Sequence, residues 1–294
     1  VTQLARYPVK GFTAQILGHV HLRPDQAFPL DRMMAVSDGT WRYDKENYVP
    51  LYKDRFIALM THPMVATLRL EAEDNARRLT IHAPDGRQFR INAQHTSGDQ
   101  EFLDFLSDFA ALPVDAKPEL IRRESGDFTD LTILDTSNAY AGSLKSAISI
   151  MNLASVRDLA TKMGESELDQ RRLRANIYFD SGTPWEEAGW LGGFVRIGGA
   201  VGKVIMATPR CVVTAVNPDT GERDRGLVQN LLRFYRHKNL GVYIDIVQEG
   251  EIRPGDVVEP ISFGRETHSL MHVPFNGAQL PIYIRDVVEG ARAS

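Results

Sequence analysis

Residues 203–221, KVIMATPRCVVTAVNPDTG, hold the only cysteine of the chain, Cys211, directly after Arg210. An apolar run precedes it, Val204 to Ala207, and a second follows, Val212 to Val216. Both are rich in β-branched residues and read as strands. Thr208-Pro209-Arg210 interrupts them, and Asn217-Pro218-Asp219-Thr220-Gly221 ends the second with turn chemistry, because proline fixes φ and glycine accepts positive φ. The expectation is one thiol where two buried strands meet, beside a permanent positive charge. A thiolate is both a nucleophile and a soft metal ligand, and a neighbouring arginine favours it. The competing reading is a buried structural cysteine, which is common.

The rest of the composition narrows the field. The chain has 294 residues, 43% of them hydrophobic and 24% charged, which is enough to bury a large core over two domains or one large β-rich domain. A net charge of −4 announces no basic face for nucleic acid. One cysteine excludes an intrachain disulfide, a Cys-ligated iron–sulfur cluster and a Cys-rich zinc site within this chain. A single free thiol fits a reducing, cytoplasmic setting. No stretch approaches the ~20 apolar residues of a membrane span. The chain begins with Val1, so a preceding anchor or targeting segment stays open.

Working outward, Leu4–Gly11, Ile16–Leu22, Leu30–Val36, Leu68–Leu70, Leu79–His82 and Phe89–Ile91 read as strands, the last two joined by a Pro84–Arg87 turn. Ser97–Leu112 reads as a helix: Phe102, Phe105, Leu106 and Phe109 form one stripe, and Ser97 with Gln100 suggests a capping box. Leu131–Leu134 carries a weak strand signal. A second helix is expected from Leu153 to Met163, with Asn152 as N-cap and Gly164 at its end. Asn176–Asp180 is a strand, Arg225–His237 a third helix, and Val242–Val247 and Val257–Val258 closing strands around a Gly250–Asp256 turn. Gly198–Lys203 lacks the spacing of a phosphate loop and leads into a strand, so it reads as a hairpin connection. His268 and His272 lie four apart but without a catalytic glutamate between them, and belong to a tail spanning residues 263–294 with a short strand at Ile282–Ile284. No Gly-x-Ser-x-Gly elbow supports a serine hydrolase.

Arginines cluster at strand ends: Arg171, Arg172 and Arg174 before Asn176, and Arg210 beside Cys211, with Arg32 and Lys10 at strand ends near the N-terminus. Guanidinium groups offered to a concave surface suit bidentate capture of phosphate or carboxylate, whereas the bland alternative is solvated surface charge.

Taken in order, Tyr7-Pro8-Val9-Lys10-Gly11, Asp31-Arg32, Arg172-Leu173-Arg174-Ala175-Asn176-Ile177, Arg210-Cys211, Pro218-Asp219-Thr220-Gly221 and Gly250–Asp256 resemble a MOSC-domain protein. MOSC denotes the molybdenum cofactor sulfurase C-terminal domain. The N-terminal part resembles the β-barrel domain that precedes MOSC in the mitochondrial amidoxime reducing component and its YcbX-like bacterial relatives, and the likeness spans roughly Leu4 to Glu259. It implies an α+β, β-rich fold: an N-terminal small β-barrel-like domain over residues 1–112, a MOSC β-barrel with peripheral helices over 113–262, and the tail. It implies that Cys211 ligates the molybdenum of a molybdopterin cofactor. It further implies that Lys10, Arg32, Arg174, Asn176 and Arg210 hold the pterin and its phosphate. The sequence departs from the family in Gly11-Phe12 after the lysine, in Ala175 for the usual proline, and in Thr208-Pro209 before Arg-Cys. A ferredoxin-like iron–sulfur domain found in some bacterial relatives has no counterpart here.

Three functions follow from these residues. The first is a molybdenum-dependent reductase of small N-hydroxylated compounds, with electrons from a separate flavin or haem reductase. The second is a persulfide or cofactor carrier, in which Cys211 receives sulfur from a pyridoxal-type donor. The third is a non-catalytic domain with an inert thiol.

Overall fold

The computed structural model describes residues 1–73, 77–129 and 144–261. The weak strand signal at Leu131–Leu134, His268, His272 and the tail therefore lie outside the described residues. The fold is α+β and β-rich, with a main sheet curled into a half-barrel.

Its centre is β9 (Ile148–Asn152), all five residues of which are buried. β9 pairs in parallel with β10 (Ile177–Phe179). A parallel neighbour needs a crossover, and α2 (Leu153–Met163) supplies it. As expected, Asn152 caps this helix by accepting from the Ala154 N–H at 3.0 Å, and Gly164 ends it in the left-handed region. On the other side of β9 lie β13 (Asn239–Gln248), β12 (Ala200–Pro209), β11 (Phe194–Ile197) and β15 (Val258–Ile261), all antiparallel. Beyond β10 come β1 (Gln3–Arg6) and β2 (Gln15–Leu17). β3 (Val20–Leu22) pairs with β14 (Gly250–Ile252), so the first three residues of the expected Gly250–Asp256 turn are strand. A division at residue 112 would cut across this pairing, since β1 is hydrogen-bonded to β10 and β3 to β14, both beyond residue 176, while β2 pairs with β1.

A second body packs around its own apolar core. β5 (Arg69–Glu73), β6 (Arg78–His82) and β7 (Gln88–Asn92) form a meander, and β4 (Met34–Val36) pairs with β8 (Leu120–Arg122). α1 (Asp99–Phe109) lays Phe102, Phe105 and Leu106 onto it, with Phe105 stacked on Phe89 at 4.5 Å. The expected Ser97–Gln100 capping box does not form. Gly98 is the N-cap, at φ +86°, where a Cβ would collide with the Arg90 carbonyl, and Gln100 bonds Asp104 instead. The close approach of the chain to β7 decides this, and only glycine permits it.

The third helix, α3 (Leu227–Tyr235), is two residues shorter at each end than the expected Arg225–His237 span. The main departure from the sequence reading concerns Val212–Val216, which is not a strand: Val212–Ala215 forms a 3₁₀ turn. Cys211 O accepts from both the N–H and the hydroxyl of Thr214, at 3.1 and 2.9 Å, and these local bonds override the β propensity of the valines.

Glu187 anchors the loop before β11 to the start of α2. It is 1% exposed and accepts from Asn152 Nδ2 and Ser155 Oγ at 2.9–3.0 Å. Burial raises its pKa above the ordinary 4.5, against the opposing pull of those hydrogen bonds. A raised carboxyl pKa stabilises the fold below 4.5, and that contribution is lost as pH rises through the folded-state value. Thermal unfolding of wild type and Glu187→Gln between pH 4 and 7 should show the wild-type midpoint falling relative to the variant as pH rises. A constant difference across that range would contradict the assignment.

Candidate cofactor and metal site

β12 ends at Pro209 and delivers Arg210 and Cys211 to a cavity between the main sheet and the second body. The ladder with β13 slips here. Ala207 pairs with Val242 and Pro209 with Asn239, so Leu240 and Gly241 face the single residue Thr208. Gly241 is required in this bulge: φ is +77°, and a Cβ would lie 2.6 Å from the Ile150 carbonyl. The bulge turns the Leu240 carbonyl toward Arg210, whose Nε and Nη2 donate to it, while Nη1 donates to Leu173 O at 2.8 Å. The Arg210 guanidinium is thus locked by backbone carbonyls beside Cys211, which is partly exposed.

Arg174 enters from the turn between α2 and β10, in the left-handed conformation at φ +52°. It donates to Phe12 O at 2.8 Å and lies 4.2 Å from the Tyr7 ring centre. Arg32, also left-handed, lies 4.7 Å from the same ring, pairs with Asp31 and donates to Arg174 O at 3.0 Å. Tyr7 therefore spaces two guanidiniums by cation–π contact. Asp31, 3% exposed, also accepts the Tyr7 N–H at 2.7 Å, which ties the Tyr7–Lys10 segment to the Arg32 turn. Lys10 follows on that segment, its ammonium donating to Phe128 O at 2.9 Å.

All six residues expected from the sequence, Lys10, Arg32, Arg174, Asn176, Arg210 and Cys211, line this one cavity. They contribute differently. Asn176 spends its side chain on the sheet, accepting from Ser149 N–H at 3.3 Å and donating to Ala5 O at 3.2 Å. It fixes β1 against β9 and so positions the arginines that precede it. The sequence reading missed Lys53, Thr208 and Tyr243, which also line the cavity. Lys53 and Tyr243 belong to no motif that would single them out. Thr208 could have been found as a departure from the family pattern next to Arg-Cys.

The electrostatics are one-sided. Among the described residues, Lys10, Arg32, Lys53, Arg172, Arg174 and Arg210 face the cavity against one acid, Asp31. Burial, opposed by Tyr7 and reinforced by the Arg32 charge, pulls Arg174 down from 12.5 to about 10, so it stays charged at neutral pH. Burial likewise lowers Arg210. Among the described residues, neither Arg174 nor Arg210 makes an ion pair; their bonds go to backbone carbonyls. Two desolvated cations without a carboxylate are offset when an anion binds. Two buried polar atoms also lack partners among the described residues, Thr208 Oγ1 and Arg172 Nε, on residues that line the cavity. A soft thiol, excess cations and unmet polar atoms fit an anionic group that carries a thiophilic metal.

A β-rich fold presenting one cysteine and converging arginines to an anion-sized cavity defines the class, and comparison with known proteins specifies it. Residues 137–259 match the MOSC domain family. It is similar to the human protein named mitochondrial amidoxime reducing component 2, 35% identical over 121 residues, covering 37% of this chain and 35% of that protein. The Bos taurus protein of the same name is 30% identical over 190 residues, 59% of this chain and 55% of its own length. Molybdenum cofactor sulfurase of Drosophila mojavensis is 33% identical over 121 residues, 37% of this chain and 15% of that protein. The match thus spans between about a third and just over half the length of the first two relatives.

Proposed function

We propose that this protein binds the molybdenum cofactor and reduces small N-hydroxylated compounds with electrons from a separate redox protein. The observation that carries this reading is the pair of buried guanidiniums without carboxylate partners, Arg174 and Arg210, set beside Cys211 in one cavity. Cys211 is the thiolate ligand to the metal. Arg174, Arg32 and Lys10 bind the anionic pterin phosphate, Arg210 neutralises charge next to the thiolate, and Asn176 is a positioning residue. When bound, the cofactor supplies a two-electron redox centre. The overall reaction takes an N–OH group, two electrons and two protons to N–H and water. The chain's own part is to orient the cofactor, hold its charge and shield it from bulk water. Within residues 1–294 one cysteine builds no iron–sulfur relay and no dinucleotide fingerprint of glycines is visible, which supports an electron donor outside this stretch. A flavin or haem reductase is the matching class of donor.

The similarity to a protein named molybdenum cofactor sulfurase favours one second reading, a persulfide carried on Cys211 and supplied by a pyridoxal-type donor. The test uses protein purified from a host that makes the cofactor. We expect near-stoichiometric molybdenum, turnover of a benzamidoxime-type substrate with reduced viologen, and none with NADH alone. Molybdenum without turnover, together with a persulfide on Cys211 by mass spectrometry, would replace the reductase by the carrier.

A further inference from the structure

We infer that Thr208 binds the cofactor directly through its hydroxyl, an inference that rests on the molybdenum-cofactor reading above. The hydroxyl of a buried threonine ordinarily finds a partner, often a carbonyl of its own neighbourhood, since leaving it unmet carries the full cost of its desolvation. Thr208 is 2% exposed, and its Oγ1 has no hydrogen-bond partner among the described residues. It lines the cavity that holds Cys211 three residues on. The backbone around it is built to present it. It stands opposite the Leu240–Gly241 bulge, where the β12–β13 ladder breaks, and Pro209 after it has no N–H to give to the ladder. Bulges beside binding sites re-aim side chains in this way. A valine would fill the same volume without an unmet polar atom, so the hydroxyl is not there for packing. Its depth and its place two residues before the Arg210–Cys211 pair point to the resident cofactor rather than to a transient substrate.

The inference predicts opposite effects of one substitution on the empty and the loaded protein. Thr208→Val in protein from a host lacking the cofactor should melt at or slightly above the wild-type temperature, because an orphaned polar atom has been removed. In protein from a host that makes the cofactor, the same variant should lose pterin about tenfold faster during dialysis, the effect of one hydrogen bond to a charged group. Pterin would be read by the fluorescence of its oxidised derivative. Thr208→Ser, which keeps the hydroxyl, should retain pterin as wild type does. Equal retention in Thr208→Val and wild type overturns the Thr208 inference and leaves the cofactor reading standing, including the case in which only the substrate KM rises. Marked destabilisation of the empty variant would show that the hydroxyl has a structural partner and likewise overturns it. Wild type that carries no pterin when made in a competent host overturns both.

Discussion

Cys211→Ala is expected to reduce molybdenum content to background and reductase turnover by more than about 100-fold, while the unfolding midpoint moves by no more than a few degrees. The separation of the two effects follows from the geometry. The backbone at Cys211 is extended, at φ −127° and ψ 179°, which alanine adopts without strain. The bonds that close the following 3₁₀ turn go to the Cys211 carbonyl, not to the thiol. The side chain is partly exposed to the cavity, so truncation opens little buried volume. A thiol that served packing would behave in the opposite way, with stability falling and metal content unaffected. Metal analysis and calorimetry on the same preparation decide between them, and a variant that keeps half the wild-type turnover sinks the ligand assignment.

Asp31→Ala is expected to cost about 3–5 kcal/mol of unfolding free energy, the cost of stranding a buried charge. Asp31 has a buried carboxylate that pairs with Arg32 and accepts the Tyr7 N–H, and the Arg32 side chain is only 17% exposed. Removing it leaves the Arg32 guanidinium uncompensated against Arg174, with which it shares the Tyr7 ring. The Tyr7–Lys10 segment also loses its tie to the Arg32 turn, so cofactor retention should fall together with stability. Asp31→Asn keeps an acceptor for the Tyr7 N–H but not the charge, and should recover only part of the loss. Urea unfolding gives the number directly. A loss below about 1 kcal/mol for the alanine variant would show that solvent or another group compensates Arg32.

Much of this protein is legible in its residue order. The β-branched runs, the Leu153–Met163 stripe between Asn152 and Gly164, and the Pro84–Arg87 turn are local patterns whose physical chemistry acts within a few residues. The helix and the turn survive folding unchanged, and of the two runs flanking Arg210–Cys211 only Val204–Ala207 remains strand. The candidate site was legible because soft-ligand and anion-binding chemistry admits few residue types, so that one cysteine beside an arginine, with further arginines at strand ends, already limits the possibilities. Where the sequence reading failed, a contact from a distant segment or a competing hydrogen bond outweighed local propensity. The close approach of Arg90 moves the cap of α1 to Gly98, and Thr214 bonding to the Cys211 carbonyl turns a valine-rich run into a 3₁₀ turn. The same holds for the cavity. Lys53 and Tyr243 stand in no motif, and the unmet hydroxyl of Thr208 stands opposite a bulge in β13, some thirty residues downstream. Residue types alone raise the expectation of an anion and a soft metal for this chain. Which side chains meet around them, and which polar atoms are left for the ligand, depends on strand register and burial, which exist only once the sheet has formed.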